Sequence, residues 1–187
     1  MTDSPKGARD ALLDQLHQLF REGGFDGVSI GDVSKLTGLG KSSLYHHFPG
    51  GKDDMALAVA ERAGQRLRAA VIAPLGEPGD REQRIAAMIS GTAIIYAGGE
   101  APCLIAAMTA SGTPEPARAR LGALLREWID ALAAALVETG AAPDTAPARA
   151  FSALARIEGG LMIARALRAP LLFTDELARL EAELRQG

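Results

Sequence analysis

Residues 29–52 constrain this chain more than any other stretch, because they read as two short helices joined by a glycine-containing turn. Ser29 stands where a helix cap is needed. Its hydroxyl can accept from the amide three residues on, and Asp32 at that position favours the positive end of a helix. Val33 and Leu36 supply an apolar face at helical spacing. Gly38 follows, where a backbone of positive φ is wanted. A second helix is expected to open near Gly40 or Lys41 and to hold Leu44, Tyr45 and Phe48 before Pro49, Gly50 and Gly51 end it. Short helix, turn and short helix is the arrangement that presents a helix to the major groove of DNA.

The side chains of the second helix suit DNA better than a core. Between Val33 and Lys52 there is no carboxylate, while Lys35, Lys41, His46, His47 and Lys52 all fall inside. A phosphate backbone attracts such a surface and is repelled by acidic side chains. Lys41, Ser42 and Ser43 occupy the first turn, the end of a recognition helix that reaches base edges. Lysine donates to guanine O6 and N7, and serine donates or accepts with several bases. Tyr45, His46 and Lys52 are better placed to meet phosphates, which set register without reading sequence. The rival reading of the same spacing is a surface helical hairpin with a solvated basic face.

The run from Thr37 through Phe48, with Lys52 shortly after, resembles the helix-turn-helix signature of the tetracycline-repressor (TetR) family. The upstream helix, leaving through Phe20, Gly23, Gly24 and Phe25 to Ser29, resembles the family's first helix and its exit. The close likeness covers about the first third of the chain. It implies an all-α fold of about nine helices: a three-helix DNA-binding domain (residues 1–52), a linking helix (53–73) and a ligand-binding and dimerisation domain (74–187). It also implies that Ser29, Lys41, Ser42, Ser43, Tyr45, His46 and Lys52 are the DNA-contacting positions. Two departures stand out. Gly40 occupies the place where a capping serine or threonine is common, and the link through residues 49–51 is longer than the family's usual spacing.

Composition agrees without naming a function. Of the 187 residues, 48% are hydrophobic and 4% aromatic, which suits an alanine- and leucine-rich helical protein. A net charge of -3 excludes a generally basic nucleic-acid coat, but a specific DNA binder needs only a local patch. One cysteine, Cys103, excludes an intrachain disulfide framework and fits a reducing cytoplasm. Lys6 and Arg9 interrupt the early residues where a secretory signal would be apolar. The best apolar run, residues 85–97, is too short to span a bilayer.

Punctuation divides the rest. Ser4 and Pro5 open a first helix with Leu12, Leu16, Leu19 and Phe20 on one face. A linking helix starts at Asp53 and runs to about Ile72, and the loop signal in residues 74–79 marks the boundary beyond it. Asp80 caps a helix that ends at Gly98 and Gly99, and Pro102 opens a short one stopped by Gly112 and Pro114. A long helix is expected from about Glu115 to Thr139, another through Phe151 and Met162 to before Pro170, and a last one capped by Thr174.

The stripe Leu154, Ile157, Leu161 and Ala164, with Gly159 and Gly160 inside it, is assigned to a crossing between subunits, since small residues let helices approach closely. The resemblance implies a homodimer formed by the last two long helices, and a symmetric operator requires one. Met88, Tyr96, Cys103, Met108, Trp128, Phe151 and Met162 are the candidate walls of an effector cavity, with Tyr96 and Trp128 foremost because each has a polar group that wants a partner when buried. No buried acidic or basic constellation stands out, so the effector is expected to be apolar, neutral or weakly polar. No cofactor and no metal site are expected. The partners are double-stranded operator DNA, a small-molecule effector and a second copy of the chain. An enzyme finds little support, because His17, His46 and His47 all lie far from Cys103 in sequence. The alternative is a ligand-binding or redox-sensing helical module without an operator.

Overall fold

A computed structural model describes residues 5–110, 112–138 and 140–186. Ser4, assigned to a cap, and Thr139, the expected end of the long helix, lie outside the described residues. Within them the chain is all-α, with no strand. The helices are α1 (Pro5–Gly23), α2 (Ile30–Thr37), α3 (Lys41–His47), α4 (Lys52–Leu67), α5 (Ala73–Gly76), α6 (Arg81–Ile95), α7 (Leu104–Thr109), α8 (Glu115–Glu138), α9 (Ala146–Ala166) and α10 (Leu171–Gln186). A π-helical stretch, Arg68–Ile72, joins α4 to α5 without a break, so the described residues form nine helical rods. None of them is long and apolar enough to cross a membrane.

Two compact units divide these elements. One takes in the chain up to Gly64 together with Leu104–Gly122; the other takes in Gln65–Cys103 and the chain from Ala123 on. In the first, Leu12, Leu16 and Phe20 recur four residues apart on α1 and are buried with Val33, Leu44, Phe48, Met55 and Val59. Helix α7 lies against α1. Arg62 of α4 reaches back to Asp14 at 3.2 Å and Asp10 at 3.6 Å. The Asp26 carboxylate accepts from the Gly112 amide at 2.6 Å, tying the α7–α8 loop to the turn after α1.

In the second unit, α6 packs against the π-helical stretch, and α10 packs against both α6 and α9. The loop expected over residues 74–79 is shorter than the sequence suggests, because Pro74 sits inside α5. Proline has no N–H, so the Ala70 carbonyl loses its ordinary α-helical donor. The chain accommodates this by widening: the Ala73 amide donates to Arg68, five residues back. Gly91 of α6 presses on the same place, where an added Cβ would stand 1.8 Å from the Ala70 oxygen.

Three further expectations are corrected. Thr174 does not cap α10, which already begins at Leu171; its hydroxyl donates instead to the Leu171 carbonyl at 3.0 Å. Leu36 is 45% exposed, leaving Val33 as the buried anchor of α2. The stripe Leu154, Ile157, Leu161 and Ala164 is buried within its own subunit, where α9 meets α10. Gly160 faces the same way, with Glu176 Cγ 3.4 Å from where its Cβ would be, whereas Gly159 looks into open space.

Candidate nucleic-acid interface

The turn between α2 and α3 is set by local chemistry. Ser29 caps α2 through a reciprocal pair: its hydroxyl accepts from the Asp32 amide at 3.1 Å, and its own amide donates to the Asp32 carboxylate at 2.9 Å. The Ser29 hydroxyl also donates to that carboxylate at 2.6 Å. This bond, followed by the one from the Ser29 amide, holds the Asp32 carboxyl below the usual range. Ser29 is therefore a structural cap first, whatever it offers to DNA. Gly38 ends α2 at φ 71°, a conformation glycine adopts without Cβ strain, and its amide donates to Ser34. Gly40 precedes α3 with no side-chain cap.

Helix α3 turns one side inward. Leu44 is buried, as is Phe48 just after it, while Lys41, Ser42, Ser43, Tyr45, His46 and His47 are exposed. The structure thus brings five of the seven sequence-nominated residues onto one short helix, with no carboxylate among them. Tyr45 is 50% exposed and lies over the backbone of Gly51.

Lys52 behaves differently. Its ammonium donates to the carbonyls of Phe25 and Val28, each at 3.1 Å, and stands 4.1 Å from the centre of the Phe25 ring. It closes the turn between α1 and α2 from the far side of the motif. An ammonium has three donors. With two on carbonyls, one remains to reach outward.

The nominated ligand residues separate. Met88 and Trp128 are fully buried, and among the described residues the Trp128 indole N–H has no hydrogen-bond partner. Tyr96 and Cys103 meet through a residue that sequence reasoning missed: the Tyr96 hydroxyl donates to Glu158 Oε1 at 2.6 Å, and Cys103 Sγ lies 3.5 Å from the same oxygen. Burial, then the neighbouring thiol and carboxylate, pushes the Tyr96 hydroxyl well above its ordinary value, so it stays a donor. The sequence did hold a signal, since Glu158 falls at helical spacing between Leu154 and Leu161 and so faces inward. Met108 is buried in the other unit, on α7. Phe151 and Met162 are not interior walls: they are 63% and 67% exposed, one position off the buried register of α9.

Residues 12–64 match the model of bacterial regulatory proteins of the tetR family. Residues 83–174 match the C-terminal domain of LmrA/YxaF-like transcriptional regulators. The uncharacterized HTH-type transcriptional regulator Rv0196 of Mycobacterium tuberculosis is 28% identical over 172 residues, 87% of each chain. The HTH-type transcriptional regulator LmrA of Bacillus subtilis is 26% identical over 160 residues, covering 83% of this chain and 85% of its own. Among solved structures, a TetR-family regulator from Agrobacterium tumefaciens superposes with a TM-score of 0.82 at 25% identity, over 96% of this chain and 98% of that one. The first match spans the capped helix-turn-helix and the second spans most of the helices that follow it, and relatives align along most of both lengths. On that ground the chain belongs to the tetracycline-repressor (TetR) family of bacterial regulatory proteins.

Proposed function

We propose that this DNA-binding transcriptional regulator is a repressor that grips an inverted-repeat operator as a homodimer and lets go when a small molecule binds its C-terminal helices. The observation that carries the reading is the exposed, carboxylate-free face of α3, with Lys41, Ser42 and Ser43 in its first turn. In this reading Lys41, Ser42 and Ser43 meet base edges, Tyr45 and His46 meet phosphates, and Ser29 and Lys52 hold the motif in register while Lys52 offers its remaining donor to the backbone. Two such helices would enter successive major grooves about 34–36 Å apart.

Support for the dimer comes from a second face of α9. Phe151, Met162, Ile163 and Leu167 are exposed there, and Leu171 and Leu172 at the start of α10 are exposed too. Monomers seldom leave such an apolar patch to water. Gly159 on α9 has open space above it, which lets a partner helix come close.

The effector would occupy the interior near Tyr96, Cys103, Trp128 and Met88. Glu158 sharpens the chemistry expected of it, since a carboxylate in that wall disfavours anions and favours a ligand that donates a hydrogen bond. Trp128 offers a buried donor to an acceptor. Cys103 directly precedes α7, and α7 lies against α1 in the unit that holds the helix-turn-helix, which supports a route from ligand to DNA along the chain. By linkage, DNA must weaken effector binding by the factor with which effector weakens DNA binding. A redox-sensing role for Cys103 fits less well, because a reactive thiolate needs positive charge beside it and here a carboxylate oxygen is 3.5 Å away. A single cysteine and this function support a cytoplasmic location.

Titrating a labelled mixed-sequence duplex at several salt concentrations tests the reading without knowledge of the operator. The affinity should fall linearly on a log–log plot, and Lys52→Ala should lower the slope by about one. Salt-independent binding, or a slope unmoved by Lys52→Ala, would contradict it.

A further inference from the structure

Where α9 ends, the chain keeps an arginine at a position that favours glycine. The Ala169 amide donates to the Ala164 carbonyl at 2.9 Å and the Arg168 amide to Arg165 at 3.1 Å, the paired bonds of a Schellman turn. Arg168 occupies the left-handed position of that turn, with φ 53°. Glycine takes this conformation without strain, whereas an arginine there is held against its own backbone preference.

Its side chain lines an open cleft of about 420 Å³ whose other walls are Gly99, Glu100, Ala164, Arg165 and Pro170. Gly99 seats the preceding turn tightly: with φ 104°, a Cβ on it would stand 3.0 Å from Phe173 Cβ and 3.1 Å from the Pro170 carbonyl. That packing brings the Glu100 backbone over the end of α9, where Arg165 donates to the Glu100 carbonyl. Arg62, Arg68, Arg84, Arg120, Arg156 and Arg185 all pair with carboxylates. Arg165 and Arg168 do not: among the described residues neither has a carboxylate within ion-pair distance, Glu100 included. Two unneutralised guanidinium groups therefore share one cleft, with the half-buried ring of Pro170 as its apolar wall.

We propose that this cleft is a binding site for a small organic carboxylate, whose charged end is taken by Arg165 and Arg168 and whose hydrocarbon body lies along Pro170. A planar guanidinium accepts a carboxylate through two parallel hydrogen bonds, a geometry that an ammonium does not offer. The rival account is that both arginines merely complement the carbonyl end of α9, as cations at helix C-termini do. The two accounts differ in what Arg168→Gly does. A pure cap lost to glycine leaves anion response unchanged, because there is none to lose.

Thermal unfolding of the full chain in sodium hexanoate, 1-hexanol and inorganic phosphate, at matched ionic strength, separates them. Hexanoate should raise Tm saturably, by about 3–6 °C at ten times its Kd, and 1-hexanol should not. Arg165→Ala and Arg168→Gly should each abolish the hexanoate response. Without any ligand, Arg168→Gly should melt at or above the parent, since it relieves the left-handed strain. The proposal fails if hexanoate gives no saturable shift, if 1-hexanol or phosphate matches it, or if the shift survives in both variants.

Discussion

The helix-turn-helix and the Tyr96 centre are both polar assemblies set on helices, yet they are built at opposite ranges along the chain. The bonds that cap and turn α2 join residues no more than four apart: Ser29 with Asp32, and Gly38 with Ser34. The Tyr96 hydroxyl finds its partner 62 residues away on α9. The first assembly needs only its own segment to coil, whereas the second exists only once α10 has packed against both α6 and α9. A local motif can be moved between proteins with its side chains unchanged. The long-range one depends on this particular packing.

The comparison breaks hardest at Gly91. An added Cβ there would fall 1.8 Å from the Ala70 oxygen and 2.6 Å from its carbonyl carbon, backbone that cannot step aside without undoing the π-helical stretch. Gly91→Ala should cost about 4 kcal/mol or more in chemical denaturation, or prevent folding altogether.

Gly159 and Gly160 sharpen the proposed dimer. An added Cβ at Gly159 has nothing within 4 Å among the described residues, so Gly159→Leu should leave monomer folding intact while weakening self-association by about tenfold to a hundredfold in sedimentation velocity, equivalent to about 1–3 kcal/mol of overpacking at the contact. Gly160→Leu should do the reverse, destabilising the subunit against Glu176 and Phe173.

Tyr96→Phe removes a buried donor and leaves the Glu158 oxygen short of a partner. Urea unfolding should show a loss of about 1–3 kcal/mol at neutral pH. The folded hydroxyl is raised above the unfolded value of about 10, so its advantage is full below that pH and fades as pH climbs above it. The parent should therefore lose stability in alkali faster than Tyr96→Phe.

Lys52→Ala should act on both fold and DNA. Losing two carbonyl partners costs about 1–2 kcal/mol of stability, and the slope of log affinity against log salt should fall by about one. Lys41→Ala should leave stability alone and relax preference at one base position, by about 1–3 kcal/mol of discrimination. The smallest effect belongs to Gly40→Ser. Nothing lies within 4 Å of a Cβ there, and a capping hydroxyl would add a few tenths of a kcal/mol to α3.

How much the sequence disclosed follows the same division. The Ser29 cap, the Gly38 exit, the Asp80 cap and the helix order are all spelled by residues within a turn of one another, and all stand as read. Pro74 misled because a π-helical widening removes the penalty that normally makes proline end a helix. The buried stripe of α9 was read as an interface because periodicity shows which face is apolar and not what covers it. Phe151 and Met162, one position out of that register, turned out to be exposed. Glu158 went unnoticed because a carboxylate in an apolar stripe shows its purpose only when Tyr96 and Cys103 arrive from elsewhere. Lys52 was legible as a basic residue near a phosphate, but its bonds to Phe25 and Val28 span more than twenty residues.

Selecting bound duplexes from a random-sequence DNA pool, with the parent protein and with a variant in which Lys41, Ser42 and Ser43 are all alanine, tests the central claim most directly. The parent should enrich an inverted repeat with half-sites about one helical turn apart, and the variant should lose that motif while keeping its helical circular dichroism and melting temperature. Enrichment of the same motif by both proteins, or of none by the parent at low salt, would contradict a DNA-reading role for α3.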